Sequence, residues 1–311
     1  GVRFAISDWK MRQDMDVEDW SVGPYQLRPY QIRTIERLRE SVSRLRKEKK
    51  PAHVVLQSVC GSGKSVMACK IAELTAAKGG RFLFIVNGRS LISQMSEKFA
   101  ECGIRHGVLM AGSENSIDHK WAVHHKAKIQ DIPIVVASRD TYGSRVFNKE
   151  CIAALKIDVC AIDELQLGVS GTTYKRLVND NLDKVVIGLT ATPSRAGGLG
   201  FGPPYQEIIT GGTHEELLRE GFIVEPVCYG PRTVDMKGVK ISRSTGEYVV
   251  SQAEERWNKE ELIGDLIRDW RKYGEDRPTI VYASSVEHSK HIAANFCGHG
   301  VSAVHLEVDC R

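Results

Sequence analysis

Ser58-Val59-Cys60-Gly61-Ser62-Gly63-Lys64-Ser65 is the stretch whose reading decides the fold. The apolar run His53-Val54-Val55-Leu56 ahead of it reads as a buried strand. Val66-Met67-Ala68-Cys69-Lys70-Ile71-Ala72-Glu73-Leu74 behind it reads as a helix. Strand, glycine-rich turn, Gly-Lys-Ser and helix, in that order, is the layout of a phosphate-binding loop. Gly61 and Gly63 permit backbone angles and a close approach that a Cβ would block. Successive N–H groups, that of Ser62 among them, then converge at a helix N-terminus, where the partial charge is positive. Lys64 adds a point charge suited to the β- and γ-phosphates of a nucleoside triphosphate, and the Ser65 hydroxyl can ligate Mg²⁺. The loop opens with Ser58, where the common pattern has Gly or Ala.

The surrounding composition is that of an ordinary globular protein. The chain has 311 residues, 42% hydrophobic and 26% charged, which suggests two domains or one large one. The longest apolar runs, such as residues 82–86, are strand-sized, so no transmembrane helix is expected. Gly1-Val2-Arg3-Phe4 has no signal-peptide core and no initiator Met, which reads as an end left by processing or cloning. Eight cysteines are scattered without a Cys-x-x-Cys pair, which argues against a zinc site and for reduced thiols in a reducing intracellular compartment. Net charge is +4, yet residues 28–50 hold nine Arg or Lys against three Glu, a local excess of six. That run suits either nucleic acid or a solvated helix face.

Residues 1–23 are acidic and carry Trp9 and Trp20, the pattern of a short appendage packed by its tryptophans. Arg28-Pro29-Tyr30-Gln31 then opens a helix whose apolar positions Ile32, Ile35, Leu38, Val42 and Leu45 recur at helical spacing. Pro29 suits its first turn, and Arg28 and Gln31 share a face. Glutamine can both donate to and accept from an adenine edge. Beyond the loop, strands are expected over 81–86, 104–110, 132–137, 157–162 and 184–189, with helices over 90–102 and 118–129. His124 and His125 in the latter read as surface residues, because no carboxylate or cysteine completes a ligand set. Such alternation predicts a parallel sheet with helices on both faces. In open sheets of this kind, ligand groups collect at the carboxyl ends of the strands.

One strand ends in Asp163-Glu164-Leu165-Gln166 and another in Thr190-Ala191-Thr192-Pro193. Beside a phosphate loop, Asp163 can hold Mg²⁺ and Glu164 can act as general base for an attacking water. Gln166 can link the γ-phosphate site to other parts.

Arg-Pro-Tyr-Gln, Gly-Ser-Gly-Lys-Ser, Asp-Glu-Leu-Gln and Leu-Thr-Ala-Thr-Pro, in this order, resemble a superfamily 2 DEAD/DEAH-box-type helicase or translocase of the restriction-type and phage branch. Residues 84–94 resemble that family's motif Ia, and residues 135–141 its Ib region. Residues 211–222 are similar to its exit from the first RecA-like domain, and residues 278–288 to the opening of its second. The resemblance covers about residues 25–306. It implies an α/β P-loop RecA-like parallel sheet followed by the start of a second such domain. It assigns adenine recognition to Arg28 and Gln31, phosphate and Mg²⁺ to Lys64 and Ser65, and hydrolysis to Asp163 and Glu164. Thr190 and Thr192 would couple ATP state to nucleic-acid grip. Arg89, Ser138, Arg139 and Thr141 would meet the sugar–phosphate backbone. Gln166 stands where the family usually has His or Asp, and Gly88 stands where motif Ia is often basic.

The implied organisation is an appendage at 1–23, a first RecA-like domain at 24–224, a connector at 225–257 with a hairpin (239–243, 247–250), and an incomplete second domain at 258–311. That last part is expected to hold helices 259–273 and 285–297 and strands 278–283 and 301–306. No Gln-x-x-Gly-Arg-x-x-Arg-like box follows in the sequence, so no arginine finger is read in it, and the chain reads as a fragment or as a degenerate relative, the former preferred. The implied function is an ATP-dependent helicase or translocase on nucleic acid, DNA rather than RNA on the resemblance alone. The resemblance leaves room for a nuclease or methylase partner, in the cytoplasm of a bacterial or phage-infected cell. The alternative is a module that binds ATP and nucleic acid without productive hydrolysis. A P-loop enzyme such as a kinase is a third reading, against which the Thr-Ala-Thr box counts.

Overall fold

The computed structural model describes residues 19–110, 122–123, 131–143, 155–167, 183–194, 200–203, 205–229, 237–241, 248–249, 252, 260–275 and 277–306. The chain divides into two compact units, Gly1–Pro226 and Val227–Arg311. Trp9 and both paired histidines lie outside the described residues.

The first unit opens with a small antiparallel hairpin, β1 (Ser21–Val22) and β2 (Tyr25–Gln26). Trp20 packs on the core, and the Arg39 guanidinium lies 5.1 Å over its ring. Helix α1 (Pro29–Lys47) follows, burying Tyr30, Gln31, Thr34, Ile35, Leu38, Ser41, Val42 and Leu45 along one stripe. Then come β3 (Ala52–Gln57), α2 (Lys64–Ala77), β4 (Phe82–Val86), α3 (Arg89–Glu101), β5 (His106–Leu109), β6 (Ala122–Val123) and β7 (Ile134–Ser138). The short helix α4 (Arg139–Gly143), β8 (Val159–Ile162), a 3₁₀ turn (Leu165–Leu167), β9 (Val185–Thr190), β10 (Glu207–Thr210) and α5 (His214–Arg219) complete the unit.

Strands β3 to β10 form one sheet in the order β10-β3-β9-β8-β4-β7-β5-β6, and every pairing in it is parallel. This is the expected RecA-like α/β sheet. Its strands are near-continuous apolar runs because both faces are covered. Alternate residues go to opposite cores. Val54 and Leu56 of β3 and Phe82, Phe84 and Val86 of β4 join the core under α1 to α3. Val55, Leu83 and Ile85 join the other, with Leu165 and Phe201. Register sets which strand ends meet. Gln57 pairs with Thr190, and Ile162 pairs with both Gly188 and Ile85. The loops leaving β3, β8 and β9 are therefore neighbours at one edge.

Three expectations need correction. Within the segment expected as helix 118–129, the described residues Ala122 and Val123 pair with β5 as an edge strand. β10 was not expected: its Glu207-Ile208-Ile209-Thr210 is short, and its hydrogen bonds to β3 define it more than its pattern does. In the second unit, α6 (Glu260–Tyr273) and α7 (Val286–Gly298) form as expected, with Ser285 Oγ capping α7 by accepting from His288 N–H at 3.1 Å. Residues 278–283 and 301–306 do not form strands. A strand exists through its ladder, and neither segment finds a partner among the described residues. Ile280 and Tyr282 are accordingly 80% and 91% exposed. Of the expected hairpin, one antiparallel bridge, Ile241 to Tyr248, lies within the described residues. The small core here is Ile267, Ile292 and Phe296, with Trp270 edge-on to Phe296 at 5.6 Å.

Candidate functional site

The loop after β3 is held from three sides. Ser58 is fully buried; its N–H donates to the Thr190 carbonyl at 2.9 Å, and its hydroxyl donates to the Gly211 carbonyl. The departure from Gly or Ala at this position thus ties the loop to the chain leaving β10. Gly61 and Gly63 adopt φ of 77° and 78°, the left-handed region that glycine enters without penalty. Gly63 is the N-cap of α2, and a Cβ there would stand 2.5 Å from Gln31 Nε2. Lys64 Nζ curls back to the Ser58 and Val59 carbonyls at 3.0 and 3.4 Å. Ser65 is exposed in the first turn of α2. Ser62 Oγ is buried without a hydrogen-bond partner, a polar orphan inside the cradle.

Arg28 and Gln31 arrive from the start of α1, and the structure gives them definite partners. Gln31, 4% exposed, donates Nε2–H to the Ser62 carbonyl at 2.8 Å and accepts from the Arg28 N–H at 2.9 Å. Each end of its amide retains one further donor or acceptor. The Arg28 guanidinium lies 4.2 Å over the Phe222 ring. Sequence reasoning passed over two residues here. Tyr30 donates its hydroxyl to the same Ser62 carbonyl at 2.5 Å, and its ring lies 5.5 Å from Phe222. The Arg-Pro-Tyr-Gln motif named Tyr30 without giving it a role, and Phe222 closed the 211–222 segment, likewise with no role given.

Across the edge, Asp163 and Glu164 leave β8. Asp163 N–H donates to the Ile85 carbonyl at 2.8 Å, and Glu164 N–H donates to Asp163 Oδ1 at 3.0 Å. Burial pushes the Asp163 carboxyl above the usual aspartate range; the Glu164 charge adds to this, while the Glu164 N–H and Lys64 oppose it. A half-buried carboxylate whose charge is opposed by its surroundings fits a bound divalent cation, which would offset the penalty. Glu164 has φ of 47°, a conformation that costs a non-glycine residue about 1–2 kcal/mol. Strain of this kind gathers at functional sites.

Gln166 joins two of the clusters. Its Nε2–H donates to Glu164 Oε2, and its Oε1 lies 2.6 Å from Thr190 Oγ1. The Thr192 N–H donates to Thr190 Oγ1 at 3.0 Å, and the Thr192 carbonyl lies 2.9 Å from it. The single Thr190 proton serves either Gln166 or that carbonyl at any moment. Glu164, Gln166, Thr190 and Thr192 thus form one hydrogen-bonded chain. It stands on Leu165, fully buried against Gly188.

The residues expected at the nucleic-acid backbone are arranged differently from one another. Arg89 is the first residue of α3, after the N-cap Gly88. The Arg139 side chain, 37% exposed, pairs with Asp140 at 3.3 Å. Ser138 and Thr141 are buried, and their hydroxyls meet each other at 2.7 Å. Ser138 Oγ also accepts from the Thr141 N–H at 3.0 Å. In this conformation both serve as the cap of α4 rather than as an open phosphate contact, because a serine before a helix turns naturally onto the first free N–H groups.

A parallel α/β sheet with a phosphate loop, an Asp-Glu turn and a Thr-Ala-Thr turn on adjacent strand ends defines a P-loop domain of the RecA-like class. The model of the family described as type III restriction enzyme, res subunit, matches residues 24–195, and the chain belongs to that family. The superfamily 2 helicase resemblance read from the motifs stands with it. A 51.5 kDa protein of a Lactococcus phage (isolate 7-9) is 27% identical over 253 residues, 81% of this chain and 48% of the relative. The transcript termination protein A18 of Yaba monkey tumor virus is 26% identical over 173 residues, 54% of this chain and 33% of the relative. The chain therefore spans half or less of the length of these relatives. The crystal structure of the UvsW helicase from bacteriophage T4 is 17% identical, with a TM-score of 0.42 over 60% of either chain. Among the described residues, no helix is long and apolar enough to cross a membrane.

Proposed function

We propose that the chain is the ATP-hydrolysing part of a nucleic-acid helicase or translocase acting on DNA. The observation that carries this reading is the bond pair of Gln166, which links the candidate base Glu164 to Thr190 at the mouth of the next strand. ATP, when bound, supplies the phosphoryl group whose transfer to water releases free energy. The Gly61–Lys64 turn, with its N–H groups, and Lys64 would hold its phosphates, Lys64 giving up the Ser58 and Val59 carbonyls to do so. Ser65 and Asp163 would hold Mg²⁺. Gln31 would use its remaining donor and acceptor on the base, with the Arg28–Phe222 stack beside it. Glu164 would take the proton of the attacking water, and a change in its charge would reorient Gln166 and rotate the Thr190 hydroxyl from one of its two acceptors to the other. Arg89 and Arg139 would grip the strand.

Residues 24–224 would then be the first RecA-like domain, 225–257 a connector and 258–311 the start of a second. Membership in a restriction-enzyme family supports DNA as substrate, a nuclease or methylase alongside, and a cytoplasmic setting. The second reading, binding without turnover, is favoured by the Val227–Arg311 unit, whose described residues form two helices and no parallel sheet.

Steady-state ATP hydrolysis with and without single- and double-stranded DNA tests the proposal. Turnover stimulated by DNA, and reduced about 10²–10⁴-fold in Glu164→Gln as expected for loss of a general base, supports it. Unchanged turnover in both Lys64→Ala and Glu164→Gln rejects it. ATP and DNA binding with no single-turnover hydrolysis selects the second reading.

A further inference from the structure

Eight of the nine basic residues of 28–50 fall into two groups, with Lys47 in neither. Most of the arginines serve the fold. Arg28 and Arg39 lie over Phe222 and Trp20, Arg33 and Arg44 pair with Glu216 and Glu207, and Arg37 donates to the Thr210 carbonyl at 3.2 Å. The other group sits where α1 ends. Arg46, Lys49 and Lys50, joined by Lys184 just before β9, line a cleft of about 300 Å³ with Asp183 as its one acidic wall residue. Lys184 and Lys50 have nearby acids, Asp183 at 2.7 Å and Glu48 at 2.8 Å. Arg46 and Lys49 have no acid within ion-pair distance among the described residues. Burial opposes the Arg46 charge, and Asp158 only partly restores it. The cleft lies at the amino ends of β3 and β9, where Ala52 pairs with Val185. The nucleotide loop lies at the other end of β3, about 20 Å away for six residues at ~3.3 Å each.

The turn carrying these cations is rigid and unusual in one residue. Lys49 N–H donates to the Arg46 carbonyl and Lys50 N–H to the Leu45 carbonyl, at 3.0 and 2.9 Å. That is the Schellman closure of a helix, whose left-handed position is ordinarily glycine. Here it is Lys49, at φ of 56°. The fold would be better served by glycine there, yet the position carries a cation facing a cleft of cations.

We infer that this cleft is a phosphate-binding site separate from the nucleotide loop, and that a nucleic-acid phosphodiester backbone is its ligand. The nucleic-acid half rests on the function proposed above; the phosphate half does not. Arg46 supplies a fork suited to two phosphate oxygens, and the three lysines supply point charges around it. The contacts would add grip without sequence preference.

The test uses the 311-residue chain with its nucleotide loop filled by Mg²⁺ and a non-hydrolysable ATP analogue. Lys49→Gly removes a charge while relieving the left-handed backbone, so its melting temperature should equal or exceed that of wild type. Lys49→Gly/Lys184→Gln is then compared with wild type in two measurements. Pyrophosphate should raise the melting temperature of wild type and not of the double variant. The log–log salt dependence of single-stranded oligonucleotide affinity should be shallower by about 1.4 in the double variant, two contacts at ~0.7 each. Pyrophosphate stabilisation lost in the variant with an unchanged salt slope leaves a small-anion site and overturns the nucleic-acid half. No pyrophosphate effect on wild type and no change in slope overturns the whole inference. If wild type binds no oligonucleotide, the proposed function fails, and the pyrophosphate measurement alone decides the cleft.

Discussion

Gly188→Ala tests how the fold holds the candidate catalytic turn. Gly188 sits mid-strand in β9, and its backbone does not require glycine. A Cβ there would stand 2.4 Å from Leu165 Cδ2 and 3.1 Å from both Cδ1 and Cγ, where carbon atoms prefer about 3.5–4.0 Å. Leu165 is fully buried, so it cannot swing into water. It must move by about 1 Å, and it belongs to the same turn as Glu164 and Gln166. Without that clash, Gly→Ala would stabilise by about 0.4–1 kcal/mol through the unfolded chain. With it, overpacking should destabilise by about 1–3 kcal/mol, so the sign of the effect is diagnostic. Leu165→Ala alone should cost about 2–5 kcal/mol. In the double variant the new methyl occupies space that leucine vacates, so the total should fall short of the sum by about 1 kcal/mol or more. Urea unfolding followed by circular dichroism measures all four corners. On the proposed function, DNA-stimulated ATP turnover should also fall in Gly188→Ala and partly recover in the double variant. A neutral or stabilising Gly188→Ala, or strict additivity, would refute the argument that Leu165 braces the turn against Gly188.

Three further outcomes are expected. Gln31→Glu should destabilise more than Gln31→Ala, by about 1–3 kcal/mol, because Glu sets a buried carboxylate oxygen against the Ser62 carbonyl in place of a donor, whereas Ala only removes that donor; the Tyr30 bond to the carbonyl remains in both. Equal melting temperatures would contradict the arrangement. Burial pushes the Cys160 thiol up to about 12, so a thiol reagent at pH 8 should label exposed Cys60, Cys228 and Cys297 quickly and Cys160 only after unfolding, as peptide mapping can show. Lys70, buried on α2, donates to the Ser21 carbonyl and to Glu73, each at 2.7 Å. Lys70→Met keeps its stem but should expose the Ser21–Gln26 hairpin to proteolysis ahead of the sheet; an unchanged cleavage pattern would remove that role.

What the sequence by itself determined was local. Gly61-Ser62-Gly63-Lys64-Ser65 between an apolar run and a helix defines a phosphate loop, because the chemistry is contained in a few consecutive backbone groups. The strands β3, β4, β7, β8 and β9 were legible for the same reason, each being an apolar run bounded by polar turns. The two-residue β6 and the four-residue β10 were not, since so short a segment becomes a strand only when a neighbour supplies its hydrogen bonds. Likewise residues 278–283 read as a strand, but the pattern alone does not form one. Only the tertiary structure decided which groups meet. The parallel register brings Gln166 to Thr190, α1 brings Tyr30 and Gln31 onto Ser62, and Gly211 receives the Ser58 hydroxyl. The structure also turned Ser138 and Thr141 onto each other, and it separated the arginines that brace α1 from the cations that ring a cleft. A side chain's type sets which bonds it can make; strand order and burial set which partner it finds, and that choice spans residues too far apart in the chain for any local pattern to record.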